Sequence, residues 1–561
     1  MSSSAPGRLL RLTLQIYRNQ NSTTEDREKF AREYLAKVAA LHAKNGIEMY
    51  QQVCGRLLLR WIVMLHLAHS PAGLHARRVS RCVGRHEPSQ QPWLDHRQKT
   101  AFLPFWGQLS LVLGRRWPTI AAVAIFVLGS GISGGATSTA MLIAGRLIQG
   151  LGGAGITAMT QLIISDLVSL RERGKYIGVI YAVFGLGTAV GPPVGSAITQ
   201  YSNWKWAFWI NLPVGGVTLL MQFFFLQIVF VKRLTFKEKV RQIDWIGNSV
   251  LVASVVSILI ALSWANTRYA WSEYQIIVPL VLGFVGTGLF FVYESSKFCV
   301  QPTIPPRMFL NRTSALGLIC TFIQSMLTIS GVLLLPTILV GVPAAIVSGQ
   351  VLAKYGKYKP IHIFGFAVAT LASGLYINFD AKSSLAKIVI YQIIAGIGGG
   401  CLLTTMLPSV QAANPPKDVA AATSTWAFMR ALGNVWGIAI PAAIFNNQMN
   451  SRVGSISDPR VRGFLSGGDA YTHVSATFIK SLPLDLQNEV VNAYQGALRV
   501  VWEVGLAFNM LGFLLVFPEK EIKLRTTVTS DHKLKEKAKK VDVEAKSGDL
   551  AEKQGSSSSN S

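Results

Sequence analysis

Two arginines, Arg146 and Arg430, lie inside apolar stretches of this 561-residue chain. Charge held in hydrocarbon is expensive, so an ionisable residue there is a functional candidate until its partner is known. Arg146 stands one helical turn before Gln149 and Gly150. Gln149, Gln161, Asn211, Gln324 and Gln392 are polar enough to line a solute path. Each also has a plainer reading, an arginine snorkelling from a packing position or an amide bonded between helices. The acids that could carry a proton, Asp166, Asp244 and Glu503, sit near the ends of apolar blocks. Cys54, Cys82, Cys299, Cys320 and Cys401 show neither metal-ligand spacing nor a disulfide framework. No phosphate-binding Gly-Lys-Ser loop and no nucleophile elbow is present. The expectation is a chain that is not an enzyme and uses no metal or cofactor.

The elements that must position these residues follow from composition. Half the residues are hydrophobic and 15% are charged, against about a quarter charged in soluble domains. The apolar residues fall in blocks of roughly 20 bounded by charge, long enough to cross a bilayer as helices. The fold class is therefore an all-α polytopic membrane protein. Residues 1–98 read as a non-membrane region without an assigned function, and 99–231 as an incomplete first helical bundle. Next come a linker with two extra spans at 232–293 and a second bundle at 294–445. An extracytoplasmic loop at 446–498, a last span at 499–517 and a disordered cytosolic tail at 518–561 complete the chain.

The formal charge is +26, but the basic residues concentrate in alternate loops and at the two ends. That pattern sets topology rather than a nucleic-acid surface, and it places those loops in the cytosol. The apolar stretch 313–353 begins and ends at such loops, so it must cross an even number of times. Pro336 and Pro343 are expected to break it into a tight hairpin. The stretch 185–196 places Gly187, Gly191 and Gly195 on one helix face, where a neighbour can approach closely. Pro192 and Pro193 lie within that face and remove backbone donors, which predicts a bend.

An internal repeat is visible. Gly107, Gly114 and Pro118 recur as Gly349, Gly356 and Pro360, each 242 residues later, and Gly150 recurs as Gly396 after 246. Duplicated halves with like motifs at like places are a transporter signature.

The sequence resembles the major facilitator superfamily, and within it the fourteen-span drug:proton antiporter branch common in fungi. A cytosolic loop motif is carried by Gly107, Gly114, Arg115 and Arg116. A fourth-span motif is carried by Arg146, Gln149, Gly150 and Gly155, and an antiporter motif by Gly187, Gly191, Pro192, Gly195 and Ser196. Late residues Thr423, Trp426, Arg430, Trp436 and Asn446 are similar too. The resemblance covers roughly 100–525 and implies major-facilitator-type bundles that alternate access to a central cavity. It further implies lipid as surroundings, small drugs or toxins as exported substrate, and protons as coupling ion. It assigns Arg146, Gln149 and Arg430 to the charge or proton path and Gly107, Gly114, Arg115 and Arg116 to a cytosolic gate. The expected site is the plasma membrane, with the vacuolar membrane as alternative.

The sequence also departs from the family. The first span is not found before Ala101, the second keeps only its cytosolic half, and Leu111 replaces the loop-motif carboxylate. Residues between the ninth and tenth spans are missing as well. Two alternatives follow, a transporter of another small solute such as an amino acid or iron chelate, and a truncated relative that does not transport.

Overall fold

The computed structural model describes residues 91–226, 228–229, 238, 241–265, 269, 271–297, 299, 301–329, 334–380, 383–466, 479, 482–526 and 533–534. Most of the 1–98 region and most of the tail, including 535–561, lie outside the described residues. Among those described, nine helices are long and apolar enough to cross a membrane.

The first half contains α1 (Gln91–Leu113), α2 (Arg116–Gly134), α3 (Thr139–Leu167), α4 (Arg173–Tyr201) and α5 (Asn211–Phe225), the last preceded by a short turn at Trp206–Trp209. The pair α6 (Trp245–Trp264) and α7 (Tyr274–Glu294) follows. The second half contains α8 (Arg312–Ile329), α9 (Leu334–Tyr355), α10 (Lys359–Tyr376), α11 (Leu385–Ala412), α12 (Val419–Arg452) and α13 (Leu484–Val516). In hydrocarbon each backbone donor must be satisfied within its segment, and these apolar runs do so as helices.

The repeat is written into the backbone. Gly114 and Gly356, 242 residues apart in sequence, both have positive φ, 82° and 71°. Each ends a helix at a basic turn, where the left-handed conformation favours glycine. Ser138 caps α3 by accepting from Met141 N, and Ser384 caps α11 by accepting from Lys387 N. These caps are separated by the same 246 residues as Gly150 and Gly396.

The stretch 313–353 forms two helices, but Pro336 and Pro343 do not break it, because both lie within α9. Gly433 and Gly437 of α12 abut Phe322 and Met326 of α8, so those helices run the same way. Gly317 of α8 meets Val410 of α11 and Ser314 accepts from Asn414, so α8 runs against α11. In α9, Gly341 lies against Gly396 and Ser348 bonds Thr404, so α9 runs with α11. Helices α8 and α9 are therefore antiparallel. The residues joining them, 330–333, lie outside the described set.

Two helices are described more fully than the sequence allowed, and two other readings are revised. Helix α1 is 23 residues long, because no helix breaker separates its polar start from its short apolar part at Thr100–Leu113. Helix α4 runs unbroken through Pro192 and Pro193, as membrane helices tolerate when neighbours compensate. The 446–498 segment is not all loop, since α12 continues to Arg452 and α13 begins at Leu484. The start of the tail is packed rather than disordered. Leu524 is buried with Leu170, Leu352, Tyr358 and Ala412, while Tyr358 Oη donates to the Lys520 carbonyl at 2.5 Å and His362 Nδ1 lies 2.8 Å from Glu519 Oε2. Burial of Tyr358 holds its phenol above the ordinary range.

Candidate functional site

The two halves meet along two glycine seams at their basic ends. In the first half Gly107 of α1 faces Ser424 of α12, and a Cβ on Gly107 would lie 2.3 Å from the serine Cβ. In the second half Gly349 of α9 faces Gly174 of α4, and a Cβ there would lie 2.4 Å from the Gly174 carbonyl oxygen. Gly107 and Gly349 are repeat equivalents, so each seam is the other's counterpart. The α4 side of its seam is formed by Gly174, Gly178 and Gly185. Gly187 is buried and Gly191 and Gly195 are half-buried, and they lie on a different face of α4, about 200° round from Gly185 to Gly187.

Between the seams lies a polar hub. Gln411, fully buried at the end of α11, accepts from Arg173 Nη1 at 2.6 Å. Its amide nitrogen donates to Ser165 Oγ at 2.8 Å and to Thr423 Oγ1 at 2.7 Å. One side chain thus ties α3, α4, α11 and α12 together. Ser165 and Gln411 are themselves 246 residues apart, so equivalent positions of the two repeats bond to each other. Arg173 is filled further by the carbonyls of Val168 and Ser165. Arg171 donates to the carbonyls of Ala353 and Lys354 at 2.8 and 2.5 Å, and its own backbone N–H donates to Arg525 O at 3.2 Å. Replacing Gln411 with leucine removes three bonds and leaves Arg173 short of an acceptor. We expect faster maleimide labelling, from the basic side, of a cysteine placed at the buried Leu352. Unchanged labelling would show the hub to be dispensable.

Arg115 lies beside the hub. It is 3% exposed and its Nε donates to Asp166 Oδ2 at 2.7 Å, while Nη1 donates to Ser110 Oγ. The carboxylate that Leu111 does not supply is thus provided from the end of α3. Arg116 donates to Phe223 O at 2.9 Å and lies over the Trp117 and Phe223 rings.

The intramembrane arginines occupy separate clusters. Arg146 Nη1 donates to Gln149 Oε1 at 2.8 Å, and Gln149 Nε2 donates to Ser130 Oγ on α2, also at 2.8 Å. The Arg146 guanidinium also lies 5.4 Å from the Phe208 ring. Arg430 lies 4.5 Å from the Tyr181 ring and 5.6 Å from Trp426. Gln392 accepts from Thr337 across α9 and α11, Asp244 caps α6 by accepting from Gly247 N, and Glu503 pairs with Arg499 on an exposed face.

These features, two repeats closed on each other at basic loops, have counterparts in known proteins. Residues 99–438 match the profile of the Major Facilitator Superfamily. The chain belongs to that superfamily. It is an integral, multi-pass membrane protein of a transporter family, and not an enzyme. It is 45% identical over 463 residues to the MFS-type transporter gkaD of Penicillium citrinum, covering 79% of each chain. The MFS-type transporter TwmF of Talaromyces wortmannii is 42% identical, with 80% of this chain and 86% of that one covered. The efflux pump FUS6 of Gibberella fujikuroi is also 42% identical, with 78% and 83% covered.

The superfamily's alternating halves give the seams and hub a meaning that sequence reading missed. Neither Arg173 nor Gln411 is among the candidates that the sequence motifs mark. The 246-residue offset, carried on from Gly150 and Gly396, points to Ser165 and Gln411 directly.

Proposed function

We propose that this chain exports small molecules, drugs or toxins by class, through alternating access with protons as the coupling ion. The observation that carries the reading is the bonded closure of equivalent repeat elements at the basic ends. Contacts of that kind must part when the halves rock, and they are made of small residues and hydrogen bonds that can re-form. The loop glycines and arginines Gly107, Gly114, Arg115 and Arg116 serve as the gate. Arg146, Gln149 and Ser130 form a chain of bonds between α2 and α3 whose rearrangement would follow protonation nearby. Names of the relatives support efflux, and the plasma membrane is the proposed site, with the vacuolar membrane as alternative.

The test is expression of the full chain in pump-deficient yeast, with accumulation of a fluorescent amphiphilic dye followed with and without a protonophore. We expect lowered accumulation that the protonophore reverses. Accumulation equal to the empty-vector control would overturn the reading. It would then favour a family member that keeps the fold without transport, consistent with five described helices in the first half against six in the second. A fluorescent-protein fusion locates the membrane in the same cells. In that assay Gly191→Leu should abolish export while the protein remains in the membrane, because the face of Gly187, Gly191 and Gly195 is proposed as a packing groove. Wild-type export by this variant would remove the groove from the mechanism.

A further inference from the structure

Among the described residues, the guanidinium of Arg430 has no counter-charge. Every other half-buried or buried arginine near the seams has acceptors: Arg115 has Asp166 and Ser110, Arg173 has Gln411 and two carbonyls, and Arg146 has Gln149. Arg430 touches the faces of Tyr181 and Trp426, and among the described residues it makes no hydrogen bond or ion pair. The neighbouring donors are also unfilled. Tyr181 Oη and Trp426 Nε1 are shut away from solvent with no hydrogen-bond partner among the described residues, on side chains 7% and 1% exposed. The same is true of Thr425 Oγ1, adjacent in sequence. Leaving such groups unpaired is costly, and an incoming acceptor would recover that cost.

The position is shared between the two halves. Tyr181 belongs to α4 of the first half, and Trp426 and Arg430 belong to α12 of the second. Arg430 lies roughly 16 Å along α12 from its basic end, and Tyr181 roughly 12 Å along α4, well inside a hydrocarbon layer of about 30 Å. Among the described carboxylates, Asp166 pairs with Arg115, Asp418 with Arg307, Glu503 with Arg499 and Glu519 with His362. Asp244 and Glu294 lie at the basic end of the α6–α7 pair. A planar guanidinium beside aromatic faces matches a carboxylate, or an ionised enol or phenol, on an apolar body. A cationic solute would be repelled there.

We propose that Arg430, Tyr181 and Trp426 form the anchor for the acidic group of the cargo, so that the exported class is amphiphilic organic anions. The proposal rests on the efflux reading and names its substrate class. The probes are 11-(dansylamino)undecanoic acid and its methyl ester, offered to the purified full-length protein in nanodiscs and, separately, in proteoliposomes. On the parent protein the acid should bind about tenfold tighter than the ester, the scale of charge-assisted hydrogen bonds. Arg430→Gln should bring the acid down to the ester's affinity, and Arg430→Lys should keep part of the preference. Tyr181→Phe, which removes only a hydroxyl, should weaken the acid a few-fold and leave the ester unchanged. Equal binding of acid and ester, binding of neither, or a preference that survives Arg430→Gln would each overturn the anchor. Acid-selective binding without movement across proteoliposomes would sink the efflux reading and keep the anchor, whereas movement of both probes without preference would do the reverse.

Discussion

Gly349→Leu should reach the membrane normally and lose at least about fivefold in export. A side chain at this position would meet Gly174 O at 2.4 Å, Gly174 C at 2.6 Å and Lys175 N at 3.0 Å. All three are backbone atoms, so no rotamer change can relieve the clash, and α9 must move off α4. Overpacking of this kind costs about 1–3 kcal/mol. The cost falls only on the form in which the seam is closed, because a form with the basic ends apart has no contact there to violate. At about 1.4 kcal/mol per tenfold, the closed population falls by roughly five- to a hundredfold. The repeat equivalent, Gly107→Leu, should act in the same direction. It should act more weakly, because the nearest atoms are the Cβ and Oγ of Ser424 rather than backbone. Maleimide labelling of a cysteine placed at Leu352, a fully buried neighbour of the seam, reads the opening directly. Normal export together with unchanged labelling would show that the seam does not need to close.

Hydropathy and repeat spacing made the fold readable because both are properties of contiguous sequence. Apolar blocks of membrane thickness mark helices wherever they occur, and Gly114 and Gly356 mark turns because few other residues tolerate positive φ. The reversal of direction within 313–353 was expected from loop charge alone. Partnerships across the fold were not. Arg115 and Asp166 are 51 residues apart, and the leucine at position 111 suggested a lost partner, because the motif locates its carboxylate locally. Tyr181 and Arg430 come together only once two halves are docked, and neither residue type signals the other. The glycine face of α4 illustrates a subtler limit. Gly187, Gly191 and Gly195 have the more regular spacing, yet the described close approach uses Gly174, Gly178 and Gly185. The first of these is hidden between Arg173 and Lys175, where charge marks the start of a span rather than a packing surface.

The second large effect is expected at Arg115, and it concerns stability before transport. The pair with Asp166 is enclosed, with side chains 2% and 11% exposed, and Arg115 holds Ser110 at the same time. Assembling a buried ion pair gains little, because desolvation offsets the attraction, but removing one member strands the other charge. Arg115→Ala should therefore cost about 3–5 kcal/mol, seen as a much lower melting temperature of the purified protein in detergent. Arg115→Lys should recover only part, because one ammonium cannot match the fork that reaches Asp166 and Ser110 together. The double variant Arg115→Ala with Asp166→Asn should be more stable than Arg115→Ala alone, because the stranded carboxylate is gone. This reversal separates an ion pair from a cation that only fixes topology. A topological arginine predicts that Asp166→Asn adds nothing, and that Arg115→Lys matches the parent in stability and orientation alike.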